Sequence, residues 1–238
     1  MRLRIIAGMA LALSLVSTQG QAFLLGQTRL ILNQDDGSAT ILVVSGEKDP
    51  LYLVRAKITQ SLNDEKAVNY FLVTPPLFRL EPKMRSTLRI SVVGGNGLPV
   101  DRERLFYLKV AAIPSSNPLD RNTKTGYTGA SVLMGTGNII KMIYRPHGVS
   151  AVTPGLISSM TYSRVPGGIQ VSNPSPNYIS FSELSVDGKA LKFSDKQPAM
   201  LPPFSHQIYG VSSTLKKQVV WRVFDDQGTV QSGTSPVQ

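Results

Sequence analysis

Short runs of β-forming residues recur along the whole chain, and they constrain its fold more than any other feature. Each run is rich in Val, Ile, Leu, Thr and aromatic residues, and Gly, Asn, Asp or Pro separates it from the next. The 20 glycines and 16 prolines supply turns for many short strands. Seven strands are predicted in the first part of the chain, at residues 28–32, 39–45, 51–58, 70–73, 86–92, 105–112 and 131–144.

The pattern within these runs predicts antiparallel strands with one solvated face. Apolar and polar residues alternate in residues 87–92 and 106–110, which is the period of a half-buried strand. No helical pattern long enough to connect parallel strands lies between the runs. The glycine-rich residues 94–97 are interpreted as a hairpin turn, since they lack the ending of a phosphate-binding loop. These features are typical of an immunoglobulin-like β-sandwich.

The strand pattern is interrupted near residues 146–155 and then resumes with regular turn signals until residue 230. We therefore expect two all-β domains, at residues 23–147 and 148–238. Residues 1–22 have the basic start, apolar run and small final residues of a secretory signal peptide. Cleavage is expected after Ala22. The apolar run is too short to span a bilayer, so stable membrane insertion is not expected.

Composition argues against most sites of catalysis or metal binding. The chain has no cysteine and only two histidines, His147 and His206, neither of which is near a Gly-x-Ser-x-Gly turn. The paired aspartates lack the spacing of a calcium loop. Lysine and arginine are scattered without a basic block, although the expected mature chain carries a net charge of +8. We expect no enzyme activity, no metal or other cofactor, and no nucleic-acid partner.

Two cations lie inside apolar runs. Arg29 directly precedes residues 30–32, and Lys141 interrupts residues 139–143. Neither has an acidic residue close by in the sequence. A cation withdrawn from water is costly unless an anion pairs with it, so the two together can form a carboxylate site. The alternative is that both face solvent or protect a sheet edge from aggregation.

The segment before Lys141 has one row of modestly apolar side chains. Ala130, Val132, Met134 and Thr136 alternate with Ser131, Leu133, Gly135 and Gly137. This row either completes its own sandwich or is lent to another protein by strand addition.

Several motifs resemble those of the PapD-like periplasmic chaperones, which assemble pili through the chaperone–usher pathway. Residues 98–115 resemble the family signature, and further motifs follow the family order at residues 28–29, 74–82, 141–146, 173–180, 200–203 and 226–228. The resemblance covers essentially the whole chain after residue 22. It implies two immunoglobulin-like β-sandwich domains in an L-shaped or boomerang arrangement.

The resemblance also implies roles for the residues described above. Ala130, Val132, Met134 and Thr136 would enter the unfinished sandwich of a pilus subunit. Arg29 and Lys141 would bind the subunit's C-terminal carboxylate, and Glu103, Arg145 and Asp226 would bridge the two domains. The expected partners are pilus subunits and an outer-membrane usher, in the periplasm.

Some positions depart from the family pattern. Lys109 stands where the family usually has Asn, and Lys57 stands where an aromatic residue is common. Residues 116–141 are longer than in the short-loop subclass but lack the cysteine pair of the long-loop subclass. A homodimer that caps the free chaperone is an open possibility. The alternative function is an exported immunoglobulin-like adhesin or structural pilus subunit.

Overall fold

The computed structural model describes residues 23–115, 135–211 and 217–238. The predicted signal peptide lies outside the described residues. Buried apolar side chains form two separate cores, one between Phe23 and Tyr144 and the other between Ile157 and Val237. The described chain therefore has two domains, and both are built from strands apart from one short helix, as the all-β prediction requires.

The first domain is a sandwich of two sheets. Its described strands are β1 (Leu24–Leu25), β2 (Arg29–Asn33), β3 (Ser38–Val44), β4 (Tyr52–Thr59), β5 (Phe71–Thr74), β6 (Leu77–Leu80), β7 (Arg85–Val92), β8 (Arg104–Pro114) and β9 (Thr136–Arg145). One sheet has the order β1-β3-β7-β5 and the other has the order β2-β9-β8-β4-β6. The inner faces of both sheets contribute to the first core.

Alternating burial confirms the predicted strand period. Phe106, Leu108 and Val110 of β8 are buried, as are Leu88 and Ile90 of β7. The residues between them in both strands are exposed or only partly buried. Each strand thus presents an apolar row to the core and a more polar row to the outside.

The hairpin turn predicted at residues 94–97 is wrong. β7 pairs with β3 and β5, whereas β8 pairs with β4 and β9 in the other sheet. The glycine-rich run therefore connects the two sheets of the sandwich. Consecutive strands often change sheets in such folds, and alternation within a strand does not show which sheet it joins.

β9 has a partner on both sides over only half of its length. It pairs with β8 from Thr136 to Tyr144, and β2 runs parallel to it from Lys141 to Arg145. Residues 136–140 therefore form an open sheet edge within the described part of the chain. Backbone N–H and C=O groups at such an edge are available to pair with another strand.

The linker to the second domain turns at Gly148, whose φ of 81° lies in the left-handed region that glycine tolerates best. The helix α1 (Pro154–Ser158) follows, and the side chain of Thr153 caps it by accepting a hydrogen bond from the Leu156 backbone N–H. The proline at the first helical turn suits this position because no backbone N–H is needed there.

The second domain is a smaller sandwich. Its described strands are β10 (Thr161–Val165), β11 (Gly168–Asn173), β12 (Ile179–Val186), β13 (Lys189–Ala190), β14 (Met200–Leu201), β15 (Ser205–Gly210), β16 (Gln218–Phe224) and β17 (Val230–Pro236). One sheet has the order β10-β11-β15. The other has the order β13-β12-β16-β17, and β14 also pairs with β12.

Candidate functional site: a cationic cleft between the domains

Arg29 and Lys141 lie side by side on neighbouring strands. They are register partners in the parallel pairing of β2 with β9. The next residues, Leu30 and Met142, are buried in the first core. Because side chains alternate between the two faces of a strand, Arg29 and Lys141 project together from the outer face of the sheet. The structure thus brings together the two cations that the sequence singled out.

These two side chains line a cleft of about 260 Å³ between the domains. The second domain forms the opposite wall with Ser180, Phe181, Ala199, Met200, Phe224 and Gly228. Arg29 also borders a larger cavity of about 740 Å³ beside β2, β3 and the turn at Asp226. The guanidinium of Arg29 therefore lies where the two domains approach each other.

Arg29 is half-buried and incompletely paired. Its Nη2 atom is buried and has no hydrogen-bond acceptor among the described residues. Its Cζ atom lies 5.9 Å from the centre of the Phe224 ring. Burial lowers the pKa of Arg29, and the charges of Asp226 and Asp225 oppose that change. A guanidinium in this state has hydrogen-bonding capacity that no described residue uses.

Lys141 is likewise a cation in a partly desolvated position. Partial burial lowers the pKa of its ammonium group, and the positive charge of Arg29 lowers it further. Lys141 remains accessible to solvent. An anion that contacts both cations would offset their repulsion and their lost hydration. A carboxylate fits this need because it has two oxygens that accept hydrogen bonds.

Of the four side chains predicted to enter a partner, only Thr136 is described. Ala130, Val132 and Met134 lie outside the described residues. Thr136 begins β9 at the open edge, and its Oγ1 atom is buried with no hydrogen-bond partner in the described part of the chain.

Glu103, Arg145 and Asp226 meet at the domain boundary. Arg145 Nε donates to Glu103 Oε1 at 2.7 Å. Its Nη1 and Nη2 atoms donate to Asp226 Oδ2 at 2.6 Å and Asp226 Oδ1 at 3.0 Å. Burial raises the pKa of Glu103, and Arg145 opposes this change. The pairing compensates charges that would otherwise be costly to bury.

Two neighbours of this network have contacts that the sequence did not predict. Tyr178 donates from its backbone N–H to Glu103 Oε2 at 2.7 Å, and Asn177 donates from Nδ2 to Glu103 Oε1 at 3.1 Å. Both residues belong to a motif noted in the sequence. The sequence does show an amide side chain, Asn177, between Pro176 and an aromatic residue. Its hydrogen-bond partner, Glu103, lies 74 residues away in the sequence, so no local pattern indicates the contact.

Lys57 and Lys109, which depart from the family pattern, share one partner. They are register partners on β4 and β8. Lys57 Nζ lies 2.5 Å from Glu65 Oε2, and Lys109 Nζ lies 3.3 Å from Glu65 Oε1. Lys109 Nζ also donates to the Asp64 carbonyl at 2.6 Å. The loop at residues 61–66, called the strap below, is thereby held across the outer face of the sheet.

Neither histidine lies in a recognisable catalytic set. His147 Nδ1 lies 2.7 Å from Asp35 Oδ1, and both side chains are exposed. Among the described residues, His147 has no hydroxyl partner, and no group of three or more potential metal ligands was found. No helix in the described ranges is long and apolar enough to cross a membrane.

Two β-sandwiches that share a cationic cleft and a buried ion-pair network define a class of two-domain, all-β binding proteins. Residues 22–150 match the family described as pili and flagellar-assembly chaperone, PapD N-terminal domain. Residues 156–235 match pili assembly chaperone PapD, C-terminal domain. The chain therefore belongs to the PapD family of pilus-assembly chaperones.

Individual relatives agree with this assignment. The chaperone protein FimB/FhaD of Bordetella pertussis is 33% identical over 97% of this chain and 93% of its own length. The solved structure of the Escherichia coli chaperone DraB has a TM-score of 0.75 and 28% identity, and covers 92% of this chain and 97% of its own. The SafB chaperone of Salmonella enterica, solved in complex with the SafA pilin, gives a TM-score of 0.74 and 26% identity, with 92% and 98% coverage.

Proposed function

We propose that this protein is a non-enzymatic periplasmic chaperone that binds pilus subunits and delivers them to an outer-membrane usher. The observation that carries the proposal is the pair of cations, Arg29 and Lys141, which have no direct ion-pair partner among the described residues and lie next to the open edge of β9. Membership of the PapD family supports the same function. SafB, a structural neighbour, was solved with a pilin bound.

The open edge provides the first half of the proposed binding mode. A subunit with an unfinished sandwich pairs its backbone with β9 and the residues that precede it. Alternate side chains, namely Ala130, Val132, Met134 and Thr136, then occupy the subunit's apolar groove. The main-chain hydrogen bonds supply affinity, and the side-chain row supplies selectivity.

The cationic cleft provides the second half. Arg29 and Lys141 bind the C-terminal carboxylate of the subunit through charge-assisted hydrogen bonds. This contact fixes the register of the added strand, because a slip of one residue would turn every apolar side chain to the opposite face. The same open edge suits a second copy of the chain, so a self-capping homodimer in the absence of subunits is part of the proposal.

The test is the substitution Lys141→Met, which removes one cation and leaves an unbranched side chain of similar length. Recovery of a co-expressed fimbrial subunit with the purified chaperone is expected to collapse, while the variant retains its far-ultraviolet circular dichroism and a cooperative melting transition. Lys189→Met, at an exposed position of the second domain, is the matched control. Unchanged subunit recovery with Lys141→Met would contradict the carboxylate assignment.

The added strand is tested separately. Met134→Asp places a charge where an apolar groove is expected, so it should block subunit capture. Full capture by this variant would show that the proposed row of inserted side chains is incorrect, whatever the result for Lys141→Met.

A further inference from the structure

Asn177 has no exposed surface and connects three parts of the chain. Its Nδ2 atom donates to Glu103 Oε1 of the first domain at 3.1 Å and to the Ser150 carbonyl of the linker at 2.8 Å. Asn177 itself belongs to the second domain. A primary amide nitrogen has two N–H groups, and here each has one acceptor. A single side chain thus joins the two domains and the segment between them.

Hydrogen bonds within the second domain hold the turn that carries Asn177. Asn173 Nδ2 donates to the Asn177 carbonyl and to the Pro202 carbonyl, both at 2.8 Å. Ser175 Oγ donates to Asn173 Oδ1 at 2.6 Å. These hydrogen bonds are buried or partly buried and lie within the second domain. The position of the Asn177 side chain is therefore set by the second domain, and its contacts transmit that position to the first.

The first domain is equally well defined at this point. Glu103 accepts hydrogen bonds from Arg145, Asn177 and the Tyr178 backbone N–H, and its own N–H donates to the Pro176 carbonyl at 2.9 Å. Glu103 is 3% exposed, so loss of one donor is not replaced by bulk water. The carboxylate contacts both Arg145 of β9 and the turn, so it holds the two together.

β12 begins two residues after Asn177 and forms part of the second-domain wall of the cleft. Ser180 and Phe181, on this strand, line the cleft opposite Lys141. We infer that Asn177 is a positioning residue that fixes the angle between the domains and thereby the width of the cleft. Alternative side chains do not reproduce this arrangement: Leu lacks both donors, and Asp places an acceptor against the Glu103 carboxylate and the Ser150 carbonyl.

The first experiment measures the domain angle directly. Because the chain has no cysteine, one spin label can be attached at Leu72→Cys in the first domain and one at Val230→Cys in the second, both at exposed positions. Asn177→Ala is expected to shift or broaden the distance distribution measured by pulsed electron paramagnetic resonance. Asn177→Ser provides a second variant that is too short to reach both acceptors. An unchanged distribution in both variants overturns the inference.

The matched control is Tyr209→Phe. Tyr209 is also buried, and its hydroxyl donates to the Pro198 carbonyl at 2.7 Å within the second domain alone. This substitution removes a buried hydrogen bond and so lowers stability without touching the domain boundary. Its distance distribution is expected to match that of the wild type. A change as large as that of Asn177→Ala would show that any loss of second-domain stability moves the domains, and would also overturn the inference.

The second experiment tests whether the cleft around Lys141 opens. Nuclear magnetic resonance titration of the Lys141 side chain reports its pKa, which partial burial lowers. Opening of the cleft in Asn177→Ala is expected to raise this pKa towards its ordinary value, while Tyr209→Phe leaves it unchanged. An unchanged pKa in Asn177→Ala contradicts a role in cleft width.

The functional importance of cleft width rests on the proposed function, but neither measurement requires a subunit. Loss of subunit capture in Lys141→Met tests the proposed function, and the distance and pKa measurements test Asn177. Failure of one is therefore distinguishable from failure of the other.

Discussion

The positive charge of Lys141 is unfavourable in the cleft, because it is partly desolvated and lies next to Arg29. Burial and the neighbouring Arg29 both lower its pKa below the ordinary 10.5. Between the lowered pKa and 10.5 the unfolded chain binds more protons than the folded chain, so the free energy of unfolding increases with pH in this window. The sign is opposite to that of a lysine with an acidic partner.

The first prediction follows from this increase in the free energy of unfolding with pH. The free energy of unfolding of the wild type, relative to that of Lys141→Met, is expected to increase as the pH approaches 10.5. Urea denaturation of both proteins over a series of alkaline pH values measures the difference. Lys189→Met serves again as the exposed control. A difference that does not vary with pH, or one that decreases, would contradict the desolvation of Lys141.

Arg145 supports a second prediction. Arg145→Met leaves the buried Glu103 and the partly buried Asp226 without their shared cation, and it is expected to lower the free energy of unfolding by about 3–5 kcal/mol. The control Arg79→Met breaks an exposed pair with Glu81 and should cost no more than about 1 kcal/mol. Chemical denaturation measures both. Similar effects of the two substitutions would mean that the domain boundary is well hydrated.

The residue scale also shows what the sequence alone could predict. Arg29 and Lys141 stand out in the sequence because each is a charge inside an apolar run, which is a local signal, whereas their assignment to a carboxylate depends on the resemblance to the PapD-like chaperones. The partners of Asn177 and Glu65 were not predicted, because the sequence contains no information on which distant strand or loop faces them. A polar side chain can be recognised as unusual from its neighbours, but its acceptor depends on the pairing of the whole fold.

The strap is an element with an unusual attachment. Two lysines whose side chains are largely covered, at 19% and 11% exposed, hold it through the exposed Glu65 carboxylate and through the backbone carbonyls of Glu65 and Asp64. The side-chain hydrogen bonds of Lys57 and Lys109 lower the pKa of Glu65. The two lysines lie in one row of the outer face, between the row that contains Lys141 and the row that contains Ala111. The strap is therefore attached to this middle row.

Neutralising Glu65 is expected to loosen the strap, which keeps only the hydrogen bonds from Lys57 and Lys109 to the backbone carbonyls of Glu65 and Asp64. In Glu65→Gln, backbone amides of residues 61–66 should exchange with deuterium faster than in the wild type, because two ion pairs are lost. The melting temperature should change little, since the carboxylate itself is exposed. Glu47→Gln, which breaks an exposed pair with Lys83, is the control and should leave strap exchange unaltered. Equal exchange in the wild type and Glu65→Gln would show that other contacts hold the loop.

Most strands of the first domain were predictable, whereas their pairing was not. Alternation located β7 and β8 to within a few residues, because a half-buried strand repeats every two residues, and β-forming composition located β3. β6 was missed because it is a four-residue edge strand with a single buried side chain. The parallel pairing of β2 with β9 joins residues more than 100 positions apart, and no local pattern encodes it.

At the scale of the whole molecule, the two cores are connected by few but well-buried polar contacts. Each core is apolar and continuous within its own domain. The boundary between them depends on Arg145, Glu103, Asp226 and the amide of Asn177. Among the described residues, the two domains are therefore coupled by polar and ionic contacts and share no apolar core.

The fourth prediction follows from this division. Asp226→Asn removes the charge that Arg145 contacts with both terminal nitrogens, so the two domains are expected to unfold in separate transitions. Differential scanning calorimetry measures this as a ratio of calorimetric to van't Hoff enthalpy that rises above its wild-type value. Asp195→Asn, at an exposed position of the second domain, is the control. A ratio that stays at the wild-type value would show that the domains remain coupled without this charge.

β9 carries the open edge at its start, Lys141 near its middle and Arg145 at its end. Because a strand advances about 3.3 Å per residue, these three features lie at fixed distances from one another along β9. Under the proposed function, the cleft binds the C-terminus of the pilus subunit. The distance along β9 from the cleft then determines which residues of the subunit pair with the open edge. A subunit with one extra residue between its groove and its C-terminus would meet the opposite face of the added strand. An insertion within β9 would change the distance between the cleft and the open edge. A single mutation could thereby change which pilus subunits the protein binds.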